Sequence, residues 1–540
     1  MIRRYGGSRN AVADGSRRAN TLPYLAVLFV VCGKRFGIGK EDLCMALRNN
    51  HRRLVPAGWV MLALSVTAQA EISEAVGGSG PEFVSTRDTA ESCIALAHMP
   101  DAVYSESDRQ WEQRFCEIDF YAANTAVCPK TWSTSPAMLV YDIAQTPFED
   151  NASGFERDIC PRGGSARKSA RRELAVYKVS MNAVDTSATY SKSSLLYYHF
   201  SRYLQSRVGV PVAVYRSMDR VVHRERVVEP GIRLTADRGE LKMIHAGWSH
   251  LRDADSDPGA YRHRAEVITP DAARVYGVLL LEAGRRYGAA LNGTRASGWG
   301  VGQSRDFQRT APFIALRSAG TLAEAIDAGI AEARAEPEMA RALKGAVAPA
   351  QVAFWMQELT EVVLLDYLFN QQDRIGNIDY QFLWHWWQDG QFMTRLAPEP
   401  SVPADIAAYA PLRLKRSRIN DNDAGGRSTY VNYAEKTGML DGLRHFNPDL
   451  YGRIARLSRD FAEQGELFQF TARNFGLSDK YLVHLSRQVS KAFAILSEEC
   501  ASGELRFDLD PELFIRDGEV AATSVDCESG KKLDTMQNEN

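Results

Sequence analysis

The sequence has no apolar run long enough to cross a membrane. Its two longest apolar stretches, 22–32 and 54–66, reach about a dozen residues each, whereas a spanning helix needs about 20. The 540 residues are 45% hydrophobic and 24% charged, which is the composition of a soluble globular protein. We therefore predict no stable membrane span in the mature chain.

Acidic side chains outnumber basic ones outside the first 70 residues. Residues 1–70 hold eleven Lys/Arg and three Asp/Glu, a surplus of +8, and the formal net charge of −2 then leaves −10 for the remainder. A body this acidic does not present the broad positive field that nucleic-acid binding needs. We expect no nucleic acid among its partners.

Several common catalytic and metal-binding motifs are also missing. There is no Gly-x-Ser-x-Gly sequence of the kind that carries a serine nucleophile, and the ten histidines share no metal-ligand spacing. The cysteines are too far apart for the CxxC pairs of zinc sites. A serine hydrolase and a zinc protein are therefore disfavoured.

The first 70 residues contain the parts of a secretory signal in the right order. Residues 45–53 are basic, 54–66 are apolar, and Ala68-Gln69-Ala70 has the small-x-small form of a cleavage site. We predict that the signal occupies about 45–70 and that 1–44 is an over-long start. The run 22–32 is the alternative, as the true apolar core of the signal or as part of a membrane hairpin. The mature protein is expected to be periplasmic or secreted.

Cleavage after Ala70 leaves six cysteines in the mature chain. Four of them lie in 71–160, which we interpret as a disulfide-bearing N-terminal extension, because exported proteins can pair their cysteines. The spacing does not define the connectivity. A bridge between Cys500 and Cys527 would fasten the polar tail 516–540.

Hydrophobic periodicity predicts a β-rich first half and a mainly helical second half. A strand, a helix and a strand are predicted at 173–179, 193–205 and from 208, followed by a hairpin over 275–292. Further elements are predicted at these positions: helices 321–347 and 351–369, a strand from 378 that turns at Asp389-Gly390, a strand from Leu412, and helices that begin at Asn447 and Ser478.

Five polar residues have the types and the order that phosphoryl transfer needs. This chemistry uses a cation on the phosphates, carboxylate and amide ligands for Mg²⁺ or Mn²⁺, and an acid that orients the attacking hydroxyl. Lys178 lies in a predicted strand, Asp373 and Asn377 follow a buried helix, and Asp421 and Asp423 follow a later strand. Gly163 and Gly164, in a Gly-rich turn, are candidates for a phosphate-binding loop.

The stretch 365–377, Leu-Asp-Tyr-Leu-Phe-Asn-Gln-Gln-Asp-Arg-Ile-Gly-Asn, resembles the catalytic-loop region of atypical protein-kinase-like families. These are the secretory-pathway kinases of the Golgi casein kinase and Four-jointed group and the HipA-like and phosphatidylinositol-kinase-like relatives. The resemblance implies an α+β, two-lobed protein-kinase-like fold, with a β-rich N-lobe at 161–292 and a mainly helical C-lobe at 293–515.

The resemblance also implies roles for single residues. Asp373 maps to the catalytic acid, Asp421 to the metal-binding acid, and Lys178 to the lysine that binds nucleotide, with Asn377 and Asp423 as further metal ligands. The cofactors would be ATP or another nucleotide with Mg²⁺ or Mn²⁺. The function would be that of an exported, metal-dependent phosphotransferase acting on a hydroxyl of a protein, lipid or glycan.

One departure from these relatives leaves alternatives open. Their helix after the lysine carries a Glu that pairs with it, but here the segment 192–196 reads Lys-Ser-Ser-Leu-Leu. Either another acid, such as Asp185 or Glu225, pairs with Lys178, or the site is degenerate; Lys178 itself is predicted to be a half-exposed strand residue. The alternative functions are a pseudokinase-like binding or scaffold protein and an AMP transferase on the same fold.

Overall fold

The computed structural model describes residues 83–345 and 347–533, all within one unit that spans Thr67–Asn540. The predicted leader, signal and cleavage site lie outside the described residues. None of the helices in the described part of the chain is long and apolar enough to cross a membrane.

The strands form two antiparallel sheets that share the chain with many helices, as the predicted α+β class requires. The strands are β1 (Cys93–Ile94), β2 (Thr125–Pro129), β3 (Met138–Asp142), β4 (Arg172–Lys178), β5 (Ala213–Asp219), β6 (Arg274–Leu280), β7 (Arg285–Arg286), β8 (Ile378–Gln388), β9 (Gln391–Leu396) and β10 (Leu412–Ile419). The first sheet has the order β1-β5-β6-β4-β3-β2, and in the second β8 pairs with β10, β7 and β9. The two-lobed arrangement stays a prediction.

The helices dominate after residue 288, as the sequence predicts. They are α1 (Glu106–Cys116), α2 (Ala152–Asp158), α3 (Ser193–Tyr203), α4 (Arg220–His223), α5 (Glu229–Thr235), α6 (Lys242–Ser256), α7 (Arg264–Val267), α8 (Ala289–Asn292), α9 (Val301–Phe307), α10 (Ala311–Arg317), α11 (Leu322–Ala335), α12 (Pro337–Ala342), α13 (Pro349–Phe369), α14 (Tyr433–Lys436), α15 (Pro448–Glu463), α16 (Glu466–Asn474), α17 (Asp479–Ala501) and α18 (Pro511–Asp517).

Helix boundaries follow local chemistry. Asn447 accepts hydrogen bonds from the first turn of α15, and Ser478 does the same for α17, so both predicted starts are confirmed. The single helix predicted over 321–347 is wrong. It breaks between α11 and α12 at Pro337, because proline lacks the N–H that a continuous helix would use.

Residues of the predicted N-terminal extension are part of the first sheet. β2 and β3 lie beside β4, and β1 pairs with β5 at the opposite edge. The segment 83–142 therefore contributes three of the six strands of the sheet that carries Lys178, and the boundary near 160 does not coincide with a sheet edge.

The hairpin predicted over 275–292 is wrong. β6 pairs with β4 and β5 in the first sheet, whereas β7 pairs with β8 in the second. The chain passes from one sheet to the other at 281–284, where Gly284 has φ +126 and a Cβ would approach Asp379 to 2.9 Å. The apolar run from Val275 predicted a strand correctly, but the pairing partner of that strand is long-range and is not encoded in the local pattern.

α13 places the catalytic-loop region. Almost all of its 21 residues are buried, as expected for a helix that is apolar around most of its circumference. The helix ends at Asn370, whose φ of +53 lies in the left-handed region that asparagine tolerates. The chain therefore leaves the protein interior directly before Asp373.

The six cysteines of the described residues form three disulfides: Cys93–Cys116, Cys128–Cys160 and Cys500–Cys527. The predicted pairing within the extension and the bridge to the tail are both present. The first two bridges join α1 and the 3-10 segment Cys160–Lys168 to the first sheet, and the third holds 527 against the end of α17.

Candidate active site

Lys178 is the centre of an ionic cluster at the end of β4. Its Nζ lies 2.6 Å from Glu282 Oε1, 2.9 Å from Asp421 Oδ1 and 3.0 Å from Asp423 Oδ1. The residue is 3% exposed, so the prediction of a half-exposed lysine is wrong. One ammonium therefore faces three carboxylates that come from two distant parts of the chain.

Glu282 reaches this lysine from outside the paired strands. Lys178 lies opposite Val278 and Val176 lies opposite Leu280, so a continued β6 would carry residue 282 past the level of the lysine. β6 ends at Leu280, and Glu282 contacts Lys178 from the connection 281–284 between the two sheets. The observed partner of Lys178 therefore lies in this connection and not in α3.

The predicted partners of Lys178 are not the observed ones. Asp185 lies in a turn with φ +62, and Glu225 lies in the segment Arg224–Val228 after α4. Neither forms an ion pair with Lys178, whose carboxylate partners in the described part of the chain are Glu282, Asp421 and Asp423.

The charged residues of the cluster shift one another's pKa values in different directions. Burial lowers the pKa of Lys178, but Asp421, Asp423 and Glu282 outweigh burial and hold the pKa above its ordinary value. Burial raises the pKa of Asp421, yet Lys178 and then Lys130 hold it well below its usual range. For Asp423 burial prevails and its pKa is raised. Asp421 is therefore the carboxyl that remains ionised most readily.

The turn that carries Asp421 has an uncommon backbone conformation. Asp421 has φ +52, in the left-handed region, and its N–H donates to Glu282 Oε1 at 3.2 Å. This conformation begins the short 3-10 segment Asn422–Ala424, which carries Asp423. Both carboxylates thereby reach the same ammonium group.

Arg374, next to the predicted catalytic acid, holds the two loops together. Its guanidinium pairs with Asp366 at 3.0 Å and donates to Asn420 O and to Asn422 Oδ1, both at 2.8 Å. Tyr197 donates to the same Asp366 at 2.7 Å. All of these contacts are buried, so Arg374 has a structural role that joins α13 to the turn of Asp421.

Asp373 lies in the same loop and faces the Asp421 turn. Gln371 links them, because its Oε1 accepts from Asp373 N at 3.0 Å and its Nε2 donates to Asp421 O at 3.4 Å. The structure therefore brings together two acids that are 48 positions apart. Burial raises the pKa of Asp373, the bond from Trp299 lowers it, and the charge of Asp421 raises it again, with a net increase.

An exposed tryptophan borders Asp373. Trp299 is 66% exposed, and its Nε1 donates to Asp373 Oδ1 at 3.4 Å. Tyr433 packs edge-on against the indole ring, with 5.6 Å between ring centroids. Asp373 is therefore partly buried beneath aromatic rings that remain accessible from solvent.

Asn377 is engaged with neighbours other than Asp421. Its Nδ2 donates to Asp373 O at 2.7 Å, and its Oδ1 accepts from Arg286 Nη1. Arg286 also pairs with Asp379 at 2.6 Å and lies 3.9 Å from Asp421 Oδ2. The amide oxygen that a metal would use is therefore occupied by a guanidinium.

A cavity of about 480 Å³ opens beside the cluster. Part of its lining is charged, with Glu282, Asp421, Lys130 and Arg286. Another part is apolar or aromatic: Ala283, Tyr380, Phe382, Leu396, Ala397 and Pro398. A pocket of this size with both kinds of lining suits a ligand with a flat apolar group and a charged group.

Gly163 and Gly164 lie in the 3-10 segment Cys160–Lys168, and both pack against the ring of Trp132. Neither lines the cavity. Arg167, from the same segment, does.

Sequence reasoning missed Glu282, Arg286, Gln371 and Trp299. Trp299 had a local signal, since it lies among Gly293, Gly298, Gly300 and Gly302, and such glycines permit tight loops and close approach. Glu282 follows shortly after an apolar strand, but its partner depends on how the chain turns after that strand.

The chain was compared with family models, curated proteins and solved structures. No family model matches the sequence, and none of the curated proteins matches it. Among solved structures, the crystal structure of the Golgi casein kinase with Mn/ADP bound is similar. The match covers 77% of this chain and 79% of that one, at 11% identity and a TM-score of 0.39. This kinase is from the group that the stretch 365–377 resembles. A TM-score this low assigns no chemistry to this chain. We infer the chemistry below from the contacts within this chain.

Proposed function

We propose that the protein is a metal-dependent, kinase-like phosphotransferase. The observation that carries the proposal is that Asp421 and Glu282, two partners of the buried Lys178, line the 480 Å³ cavity, and that Asp373 is connected to Asp421 through Gln371. A cation, a metal-binding acid and an orienting acid are the parts that phosphoryl transfer requires.

Each residue has a role that its surroundings support. Asp373 is the acid that orients the acceptor hydroxyl and takes its proton, because it is partly buried and its pKa is raised toward the working range of a general base. Lys178 neutralises charge at the phosphates and holds Asp421 in place. Glu282 orients Lys178 and accepts a hydrogen bond from the backbone N–H of Asp421.

The donor set fits a hard divalent cation of the Mg²⁺ or Mn²⁺ type. Among the described residues no group of three or more His, Cys, Asp or Glu is arranged to hold a metal by itself. Mg²⁺ at phosphoryl-transfer sites usually takes one or two carboxylates and completes its shell with phosphates and water. Asp421 suits this use, because its side chain is 31% exposed and Lys178 contacts its Oδ1, whereas its Oδ2 lies 3.9 Å from Arg286.

Asp423 is the second candidate ligand. The metal would neutralise the nucleotide phosphates. Asn377 would serve only if Arg286 released its oxygen.

The cavity supports a nucleotide as the phosphate donor. Its apolar lining, with Phe382 and Leu396, suits a base, and its cations, with Lys130 and Arg286, suit phosphates. Gly163 and Gly164 could contact the nucleotide only through a movement of their segment toward the cavity, so we assign the phosphates to the cations.

We further propose that the protein acts after export, in the periplasm or outside the cell. Three disulfides are expected where thiols become oxidised. The acceptor is then a hydroxyl of an exported protein, a lipid or a glycan.

Thermal unfolding with nucleotide and metal tests the proposal. ATP or ADP with Mn²⁺ should raise the unfolding temperature, because a ligand at 100 times its Kd adds about 2.7 kcal/mol to the folded state. Asp421→Asn should remove the metal-dependent part of the shift, while the surface variant Asp405→Asn should keep it. Incubation with ATP should then release ADP.

The outcomes separate the proposed function from its alternatives. Formation of AMP-modified product and pyrophosphate instead of ADP would assign AMP transfer. No stabilisation by any nucleotide, with either Mg²⁺ or Mn²⁺, would contradict the proposal and favour a scaffold.

A further inference from the structure

A second cavity, of about 450 Å³, has arginines in its lining and shares no lining residue with the first. It lies between the N-terminus of α1, the end of α3 and the loop 205–210. Its three guanidinium groups belong to Arg202, Arg207 and Arg418.

Two of these arginines already have carboxylate partners. Arg202 pairs with Asp108, with contacts of 2.7 and 3.0 Å, and Arg207 pairs with Glu512. The charge of each is therefore matched within the protein.

Arg418 has no such partner. No carboxylate of the described residues lies within ion-pair distance of it, and its hydrogen bond from Nη1 to Gln381 Oε1 is long, at 3.4 Å. Its buried Nε has no partner, and neither has the buried hydroxyl of Ser206, which also belongs to the lining. A largely buried cation with one weak contact is costly unless an anion compensates it.

We propose that this second cavity binds a small oxyanion, such as a phosphate, a sulfate or a carboxylate group, on Arg418. An oxyanion accepts several hydrogen bonds from one guanidinium fork. It would also screen the repulsion between Arg418 and Arg202, which adds to burial in lowering the pKa of Arg418. The other two arginines border the cavity with their charges paired, and Asp108, the partner of Arg202, also belongs to the lining.

The site is separate from the proposed nucleotide cavity but physically connected to it. Gln381, the contact of Arg418, lines the first cavity, and Arg418 precedes Asp421 by three residues in the chain. The proposal does not depend on phosphotransfer, because it rests on the lining of the second cavity alone.

Calorimetric titration of the mature protein with sodium phosphate, sodium sulfate and sodium acetate, at constant ionic strength, tests the proposal. For whichever of these anions binds, Arg418→Gln should raise Kd by at least about tenfold. This is the effect expected for the loss of one charge-assisted hydrogen bond. Arg395→Gln, which removes an exposed arginine paired with Asp405, should leave Kd unchanged. The three salts distinguish a phosphate or sulfate group from a carboxylate.

A second pair of variants avoids the buried arginine. Val103 is 58% exposed and lines the cavity, so Val103→Glu introduces a competing carboxylate and Val103→Gln is its neutral match. Only the Glu variant should weaken binding of the anion.

Phosphate could also bind in the first cavity, and Arg286→Gln detects this. Binding that is lost in Arg286→Gln but unchanged in Arg418→Gln and Val103→Glu would overturn the proposal. The absence of anion binding to the unaltered protein would overturn it as well.

Discussion

Lys178 and Asp421 lie 243 positions apart in the chain, and Nζ of the lysine is 2.9 Å from Oδ1 of the aspartate. The lysine ends a strand of the first sheet, and the aspartate follows the strand β10 of the second. Glu282 stands where the chain passes between the sheets and contacts both residues. The ionic cluster therefore joins three segments that no local sequence pattern connects.

Removal of Lys178 should destabilise the protein strongly. Lys178→Ala leaves three carboxylates facing one another without their cation, and breaking a buried pair in this way costs about 3–5 kcal/mol. Urea unfolding at pH 7 measures the loss. The defect should shrink as pH falls toward 4, because protonation of the carboxyl groups removes their repulsion.

Lys491 is the matched control for this variant. It pairs with Glu435 at 2.6 Å, but the two side chains are 48% and 34% exposed, so Lys491→Ala should cost below about 1 kcal/mol. Equal losses in the two variants would show that the cluster around Lys178 does not stabilise the fold.

Arg374 should behave as a structural residue although it adjoins the predicted catalytic acid. Arg374→Gln leaves Asp366 buried without its partner and removes the bonds to Asn420 and Asn422, so we expect a loss of about 3–5 kcal/mol in unfolding free energy. Arg516→Gln, at an exposed pair, is the control. A folded variant of unchanged stability would contradict this role.

The sequence predicted the parts of the site better than their contacts. Polar residues after buried elements marked Asp373 and Asp421, because an apolar helix or strand that ends in acids brings charge to the protein surface at a defined point. The partner of Lys178 could not be predicted, since Glu282 lies beyond the end of β6 and meets the lysine only where the folded chain passes between the sheets. Register and sheet order depend on packing across the whole sheet.

Dependence on packing across the whole sheet also accounts for an error in the predicted fold. The apolar run after residue 274 does form a strand, but whether β6 pairs with its successor or with β4 and β5 depends on strands more than 50 residues away. Helix starts at Asn447 and Ser478 were predictable, because a capping side chain bonds to the backbone two or three residues later.

The mature protein should contain no free thiol. Unfolding without reductant should leave all six mature cysteines unreactive toward a thiol reagent. Replacement of Cys500 and Cys527 together by Ser should lower the unfolding free energy by about 2–4 kcal/mol, because the bridge closes a loop of 27 residues. More than one reactive thiol in exported protein would contradict the pairing.

Trp299 should influence the pH dependence of turnover. Its Nε1 bond to Asp373 favours the ionised carboxylate, so Trp299→Phe should raise the pKa of Asp373 further. Since a general base works only when ionised, the acidic limb of the rate profile should move upward by about half a pH unit for a bond of about 0.7 kcal/mol. The pH profile of kcat for ATP consumption measures this, with Trp132→Phe as an exposed control. A profile unchanged in Trp299→Phe would exclude the bond from the active state.

Asp373 and Asp421 should fail in different ways when they are replaced. Asp373→Asn removes the acid that orients the hydroxyl but keeps a side chain of the same shape, so nucleotide and metal should still bind while turnover falls by about 10²–10⁴-fold. Asp421→Asn removes the partly exposed carboxylate that faces the cavity, so metal-dependent nucleotide binding and turnover should be lost together. Calorimetric titration with ADP and Mn²⁺, alongside release of ADP from ATP, distinguishes the two variants.

The assignment of roles requires this difference, because both residues belong to one connected group and a purely structural contribution would affect binding and turnover alike. If Asp373→Asn abolished nucleotide binding, or if Asp421→Asn bound nucleotide and Mn²⁺ as tightly as the unaltered protein, the proposed roles would be wrong.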